Sequence, residues 1–173
     1  VLSHHGKSSL ERRKEKRKRL PEWFKTSLPT GNSQIKFNTT KANVHEHGLH
    51  TVCEEARCPN VHDCWARGTA TFMIAGEVCT RGCRFCAVGT IRKPPELNPL
   101  EPQELAEAIE KMDITYAVIT VVNRDDLPDG GAEHYRKCLL EVNSKTPDVG
   151  LELLCSDLEG NLDALTSLLH NLP

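Results

Sequence analysis

The sequence predicts an α/β chain: about three parallel βα units forming part of a (βα) barrel, preceded by a cysteine-rich N-terminal extension. Three observations carry this prediction. The runs Thr69 to Gly76, Tyr116 to Val122 and Gly150 to Cys155 are short and almost wholly apolar, as strands covered on both faces are. Each is followed by a polar segment and then by apolar residues at helical spacing, which by the right-handed crossover rule makes the strands parallel. The loop after the first run carries three cysteines, and βα folds place their chemistry where strands end.

Composition limits the function classes. The chain has 173 residues, room for one ordinary domain, with 27% charged and 5% aromatic residues and a net charge of −2. No apolar run approaches the roughly 20 residues of a membrane helix, and no leader with an apolar core is visible, so no membrane association is expected. Charge is unevenly placed: residues 1–25 hold nine Lys or Arg against three Glu, leaving an acidic body. The run Glu11 to Arg19 could touch nucleic acid, but no aromatic is interleaved as a stacking platform, so a solvated helix with Glu15 beside Arg19 is the better reading.

In chain order, residues 1–20 form a basic tail, disordered or a surface helix. Residues 21–68 form an N-terminal arm that contains a cysteine motif, and 69–173 the βα units. Leu20 to Gly31 mixes apolar residues with turn formers, as in a segment laid across another surface. Ile35 to Val44 predicts a short helix; His45, His47 and His50 are left unassigned. After the first strand, Pro94, Pro95, Pro99 and Pro102 punctuate a connector, and Leu105, Ala108, Ile109 and Met112 give one apolar helix face.

The second strand ends in Asn123-Arg124-Asp125-Asp126-Leu127-Pro128-Asp129-Gly130-Gly131, an acidic loop closed by two glycines that let backbone approach a ligand. Asp129 is also placed to cap the next helix, whose apolar face is Tyr135, Cys138, Leu139 and Val142. Cys138 is then a core residue. In the third strand Glu152 is a carboxylate among apolar residues. A buried unpaired charge is costly, so it should face a polar ligand. Asp157 follows at the strand's carboxyl end; Cys155 is a spectator. Leu162, Leu165, Leu168, Leu169 and Leu172 make a last helix.

Eight cysteines could form four disulfides, but three in Cys79–Cys86 and three in Cys53–Cys64 favour metal centres in a reducing compartment. Cys79, Cys83 and Cys86 are spaced CxxxCxxC. Three thiolates leave one iron of a [4Fe-4S] cluster open to a small molecule. Arg81 and Arg84 lie in the loop, where positive charge favours thiolate. Phe85 precedes the last cysteine and could lie flat against a purine. Zinc is the competing ligand, but no second knuckle follows. Upstream, Cys53, Cys58 and Cys64 are spaced CxxxxCxxxxxC; His62 among them keeps a Cys3His zinc knuckle open beside a cluster.

The CxxxCxxC loop after the first strand resembles the radical S-adenosylmethionine superfamily. Together with Cys53 to Trp65 and Arg124 to Ala132, it looks like the lipoyl synthases within it. The resemblance implies that Cys79, Cys83 and Cys86 hold a [4Fe-4S] cluster whose open iron binds S-adenosylmethionine. It implies that reductive cleavage yields a 5′-deoxyadenosyl radical that takes hydrogen from an octanoyl chain. Cys53, Cys58 and Cys64 would hold an auxiliary [4Fe-4S] cluster that donates sulfur at the sixth and eighth carbons, giving lipoyl-lysine. S-adenosylmethionine contacts are expected from Phe85, Asn123, Gly130, Gly131, Glu152 and Asp157.

Implied partners are octanoylated lipoyl carrier domains, those of 2-oxoacid dehydrogenase complexes and the glycine cleavage H protein, and an electron donor such as flavodoxin or ferredoxin. The implied location is the cytoplasm, or the mitochondrial matrix in a eukaryote. Val121 and Asn123 stand where serine and aspartate are usual in this family, and Cys155-Ser156 where Thr-Pro is. The family's later barrel strands and its terminal Arg-Ser-Ser-Tyr, whose serine completes the auxiliary cluster, have no counterpart in these residues. Two readings follow: a cut lipoyl synthase, or a non-catalytic isoform or split half that binds clusters or a partner. A zinc module with a basic nucleic-acid-binding tail is a third.

Overall fold

A computed structural model describes residues 21–25, 27–46, 51–55, 58–170 and 172. The expected basic tail, His47 and His50 lie outside the described residues. Three parallel strands form the main sheet: β1 (Thr69–Ile74), β4 (Tyr116–Val121) and β5 (Gly150–Leu154), in the order β1-β4-β5. Thr69 pairs with Tyr116, and Tyr116 in turn with Gly150, so all three strands start in step. Each strand is followed by a helix: α4 (Glu101–Met112), α5 (Ala132–Lys145) and α6 (Leu162–Leu169). The three expected βα units are therefore present, with the expected parallel sense.

Alternation of burial shows which face the helices cover. Ala70, Phe72 and Ile74 of β1 and Ala117 and Ile119 of β4 are buried, whereas Thr71, Met73, Val118 and Thr120 on the opposite face are only half-buried. On the covered side, Leu105, Ala108, Ile109 and Met112 of α4 and Tyr135, Cys138, Leu139 and Val142 of α5 are all buried, as their helical spacing predicts. Burying these side chains away from water is the main term holding sheet and helices together.

Two helices precede the sheet in the cysteine-rich region, α2 (Val52–Glu55) and α3 (Val61–Ala66), after the longer α1 (Asn32–Glu46). The predicted helix over 35–44 lies inside α1. Trp65 of α3 is 1% exposed and stacks on Phe37 of α1, with ring centroids 5.8 Å apart, which ties these two helices of the arm together. Residues 27–30 carry no regular secondary structure, and Trp23 and Leu28 are exposed.

Three further features depart from the sequence reading. A two-stranded parallel ladder, β2 (Val78–Cys79) with β3 (Gly89–Thr90), closes the cysteine loop at its base; runs of two residues carry no readable periodicity. In α6 only Ala164 and Leu168 are buried, and Leu162 is 73% exposed, so most of the leucine face is uncovered. Glu152 is exposed, not buried. It lies on the open face of the edge strand β5, where the Tyr116 hydroxyl donates to it at 2.9 Å, so no buried charge has to be offset.

Gly130 and Gly131 both adopt positive φ, +62° and +91°. A Cβ on Gly131 would stand 2.8 Å from the Tyr135 ring, and one on Gly130 would stand 3.2 Å from Leu158. The Tyr135 hydroxyl lies 2.8 Å from the Gly130 carbonyl and 3.0 Å from that of Val122, and donates between them. The glycines thus let α5 start tight against the end of β4. Gly131→Ala should cost about 1–3 kcal/mol, from strained φ and displacement of the ring, read as a lower urea midpoint at constant slope for the metal-free chain. A loss within 0.5 kcal/mol, the ordinary scatter of harmless substitutions, would show that the Tyr135 ring gives way freely.

Candidate metal centre

The CxxxCxxC loop leaves the carboxyl end of β1 through Ala75, Gly76 and β2. Cys79 is half-buried, and its sulfur accepts the backbone N–H of Asn123 at 3.3 Å and of Arg81 at 3.4 Å. Cys83 and Cys86 are exposed and joined by one turn bond, Cys86 N–H to Cys83 carbonyl at 3.1 Å. Phe85 between them is 94% exposed. The Ile91 N–H donates to the Cys79 carbonyl at 3.0 Å and the Thr90 hydroxyl to that of Arg81, so the loop returns on its own base.

A clamp of three charged side chains fixes the loop. The Arg81 guanidinium donates to both Asp125 oxygens at 2.8 Å, a bidentate fork, and to Asp157 at 2.7 Å. Thr80 adds to it: its hydroxyl is 2.7 Å from Asp125 and 3.0 Å from the Asn123 carbonyl, and its N–H donates to the same carbonyl. Arg81 therefore pairs with the loops after β4 and β5. Its charge is spent on the clamp rather than on the thiols, a correction to its expected role.

The next basic side chain inward is held the same way. Arg124 is 3% exposed, forks to both oxygens of Asp126 at 2.8 Å, and reaches the carbonyls of Pro95 at 3.0 Å and Ala75 at 3.4 Å. Asp129 caps α5 as expected, accepting from Gly131 N–H at 3.0 Å and Glu133 N–H at 2.9 Å. The acidic loop is thus first a structural part. Asp125 holds the cysteine loop, Asp126 neutralises a buried arginine, and Asp129 starts a helix.

The predicted cofactor residues divide accordingly. Asp157 is committed to Arg81 and to the Glu159 N–H. Gly130 and Gly131 serve packing. Asn123 lies beside Cys79, its amide oxygen 4.0 Å from the sulfur. Phe85 and Glu152 are exposed at the loop and on the open sheet face. Glu101 and His134 were missed. Both sit in the first turn of a helix, where an acid and a histidine read as surface residues, and nothing in the sequence sets them against each other.

In the upstream motif, Cys53 is buried on α2, Cys58 follows in the turn and Cys64 lies on α3. The Cys58 N–H donates to the Cys53 carbonyl at 3.0 Å, which folds the segment back, and Pro59 and Asn60 form the expected turn. His62, the knuckle candidate, packs its ring on Phe37 with centroids 4.5 Å apart. Among the described residues, the donors gathered within 4.8 Å as for a single ion are Glu101, His134 and Cys138, and neither cysteine motif forms such a group. Two cavities of about 300 and 310 Å³ lie at the other end of the strands, around Gly68 and Thr115 and around Thr115 and Val149. Parallel βα folds keep structural, not chemical, residues at that end.

Residues 73–171 match the radical SAM superfamily, more than half of the chain, and residues 3–58 match the N-terminal domain of lipoyl synthase. The chain is 49% identical over 157 residues to a lipoyl synthase of Aromatoleum aromaticum, covering 91% of this chain and 50% of that one. It is 50% identical over 154 residues to a mitochondrial lipoyl synthase of Schizosaccharomyces japonicus, covering 86% and 40%. Against the mitochondrial lipoyl synthase of Bos taurus the figures are 47% over 164 residues, 92% and 43%. The chain belongs to the radical SAM superfamily. Its N-terminal part is similar to the corresponding domain of lipoyl synthases, and the chain spans half or less of the length of these relatives.

A radical SAM chain carries a [4Fe-4S] cluster and uses S-adenosylmethionine, and the donor set here fits. Three thiols stand on one loop at the strands' carboxyl ends, one with two N–H donors on its sulfur, and they are not drawn together as ligands of a single ion. No described helix is long and apolar enough to cross a membrane.

The clamp makes the centre acid-sensitive. The Arg81 guanidinium holds Asp125 and Asp157 below the usual carboxylate range, and Arg124 does the same for Asp126. Depressed carboxylates contribute stability that is fully present above their unfolded pKa of about 3.9 and lost as pH falls through the folded values. The metal-free chain should therefore lose stability steeply below about pH 4. Asp126→Asn should cost about 2–3 kcal/mol at neutral pH by leaving Arg124 without its counter-charge, and flatten the acid limb. Urea midpoints of both proteins across that range test this; parallel acid limbs would remove Asp126 from the account.

Proposed function

We propose that this chain serves lipoyl synthesis, the radical insertion of sulfur at the sixth and eighth carbons of a protein-bound octanoyl-lysine. The observation that carries it is the order of the two three-cysteine motifs on either side of β1, with the second at the carboxyl end of a parallel sheet. Cys79, Cys83 and Cys86 would hold one [4Fe-4S] cluster, and Cys53, Cys58 and Cys64 an auxiliary one. When bound, the first supplies the electron that cleaves the sulfonium of S-adenosylmethionine and the second supplies sulfur, chemistry that no side chain offers.

The chain's own residues bind and orient. The N–H groups of Arg81 and Asn123 hold the Cys79 sulfur in place. Arg81, Thr80, Asp125 and Asp157 hold the loop against two strand ends. Phe85 offers an exposed ring for adenine, Asn123 an amide beside the cluster cysteines, and Glu152 a carboxylate on the open sheet face for a donor group of S-adenosylmethionine. Gly130 and Gly131 shape that rim through Tyr135.

The substrates on this reading are octanoylated lipoyl carrier domains, and the electron donor is a flavodoxin or ferredoxin. The location is the cytoplasm, or the mitochondrial matrix in a eukaryote; the Schizosaccharomyces japonicus and Bos taurus relatives are mitochondrial lipoyl synthases by name.

Anaerobic reconstitution tests the proposal. The chain should take up iron and acid-labile sulfide in equal amounts, and Cys83→Ala and Cys58→Ala should each lose a different part. In the active enzyme, Cys83→Ala should abolish 5′-deoxyadenosine formation, whereas Cys58→Ala should retain it and lose sulfur insertion. Zinc without sulfide would end the proposal, and equal loss of both activities in both variants would end the division of labour.

A further inference from the structure

The chain enters the cysteine loop through a residue in an unfavourable conformation. Ala75, directly after β1, has φ +71° and is 1% exposed. A non-glycine residue held there costs on the order of 1–2 kcal/mol and persists only where its surroundings impose it. Both of its backbone polar groups are held by ionisable side chains from other elements. The Ala75 N–H donates to the Glu101 carboxylate at 2.9 Å, from the first turn of α4. Its carbonyl accepts from Arg124. The same Glu101 oxygen is bonded to His134 Nε2 from the first turn of α5, and both side chains are largely buried. One carboxylate thus ties two helix starts to the peptide that sets the direction of the chain four residues before Cys79.

We propose that Glu101, fixed by His134, is a positioning residue for the cysteine loop: it holds the Ala75 turn that aims β2 and Cys79 at Asn123 and the Arg81 clamp. The inference rests on the proposed function only in naming Cys79, Cys83 and Cys86 as cluster ligands; the placement of the loop stands on Glu101, His134 and Ala75. Neither Glu101 nor His134 touches the cysteines of the loop. Their effect passes through the backbone.

The test uses hydrogen exchange in the metal-free chain, followed over residues 77–91 and, as a reference, over the core amides of α4 and α5. Glu101→Ala should speed exchange in the loop about tenfold with the reference amides changed far less. Adding Ala75→Gly should restore it, because glycine takes the positive φ without being held. Ala75→Val, which leaves Glu101 and His134 in place, should loosen the loop as Glu101→Ala does, and it decides the matter if the Glu101 variant does not fold.

Unchanged loop exchange, or a rise spread equally over α4 and α5 that Ala75→Gly does not reverse, overturns the inference. In the reconstituted chain, the change in the reduced cluster's electron paramagnetic resonance on adding S-adenosylmethionine should weaken in Glu101→Ala and return with Ala75→Gly. If the wild-type chain takes up no iron and sulfide, the proposed function falls, while the exchange result still decides the role of Glu101.

Discussion

The fork between Arg81 and Asp125 is the contact on which the functional end of the molecule depends. Parallel strands bring their carboxyl ends to one edge, but they do not fix the loops that leave it; those loops pay full conformational entropy unless side chains hold them. Arg81 spans the problem because a guanidinium presents donors in several directions at once, to Asp125 after β4 and to Asp157 after β5. A lysine could neither fork to Asp125 nor reach both acids with planar geometry. With Thr80 and Asn123 adding bonds beside it, three successive βα loops become one connected rim.

Placing that much charge together works only because the signs alternate. Arg81 lies against Asp125 and Asp157, and Arg124 against Asp126, with Asp126 next to Asp125 in sequence. Each acid is held below the usual carboxylate range by its arginine, whose hydrogen bonds outweigh the repulsion between neighbouring acids. The buried pair contributes less as attraction than as registry. Arg124, once desolvated, is satisfied in one arrangement only, with Asp126, Pro95 and Ala75 around it. That arrangement places the end of β1 and the end of β4 in one relation.

The βα architecture was legible because it is written in local periods. Apolar runs of strand length and helical faces such as Leu105, Ala108, Ile109 and Met112 need no knowledge of the rest of the chain. The two cysteine motifs read as ligand sets for the same reason, since ligand spacing is a local property. Partners across the sheet were not legible. Asp157 reads as a ligand residue, and Asp125 only as part of an acidic loop, because nothing in one dimension shows that Arg81 will stand between them once β1, β4 and β5 lie side by side in step. The exposure of Glu152 is illegible in the sequence for a related reason. A strand rich in leucine reads as buried on both sides, yet β5 is an edge strand whose face with Glu152 and Leu154 is open, and Tyr116 across the ladder supplies its bond. Gly130 and Gly131 were recognised as special, but the body approaching them is the Tyr135 ring and Leu158.

The cysteine loop itself is unequally prepared. Cys79 lies on a strand, half-buried, with two N–H groups on its sulfur and its neighbours tied into the clamp. Cys83 and Cys86 lie on the outer arc, exposed, held by a single turn bond and by the return through β3. On the proposed function, a metal centre with one ligand from a fixed strand and two from an exposed arc would be completed by binding, because the energy of the metal–sulfur bonds would also order the arc. The fixed part then has a specific duty. It must present Cys79 in one place and leave the arc short enough to close. The left-handed turn at Ala75, the Glu101 and Arg124 contacts on its peptide, and the Arg81 clamp act on that side of the loop and not on the other. The bonds are concentrated where the chain leaves the sheet, and exposure on the outer arc, where the proposed cofactor would enter.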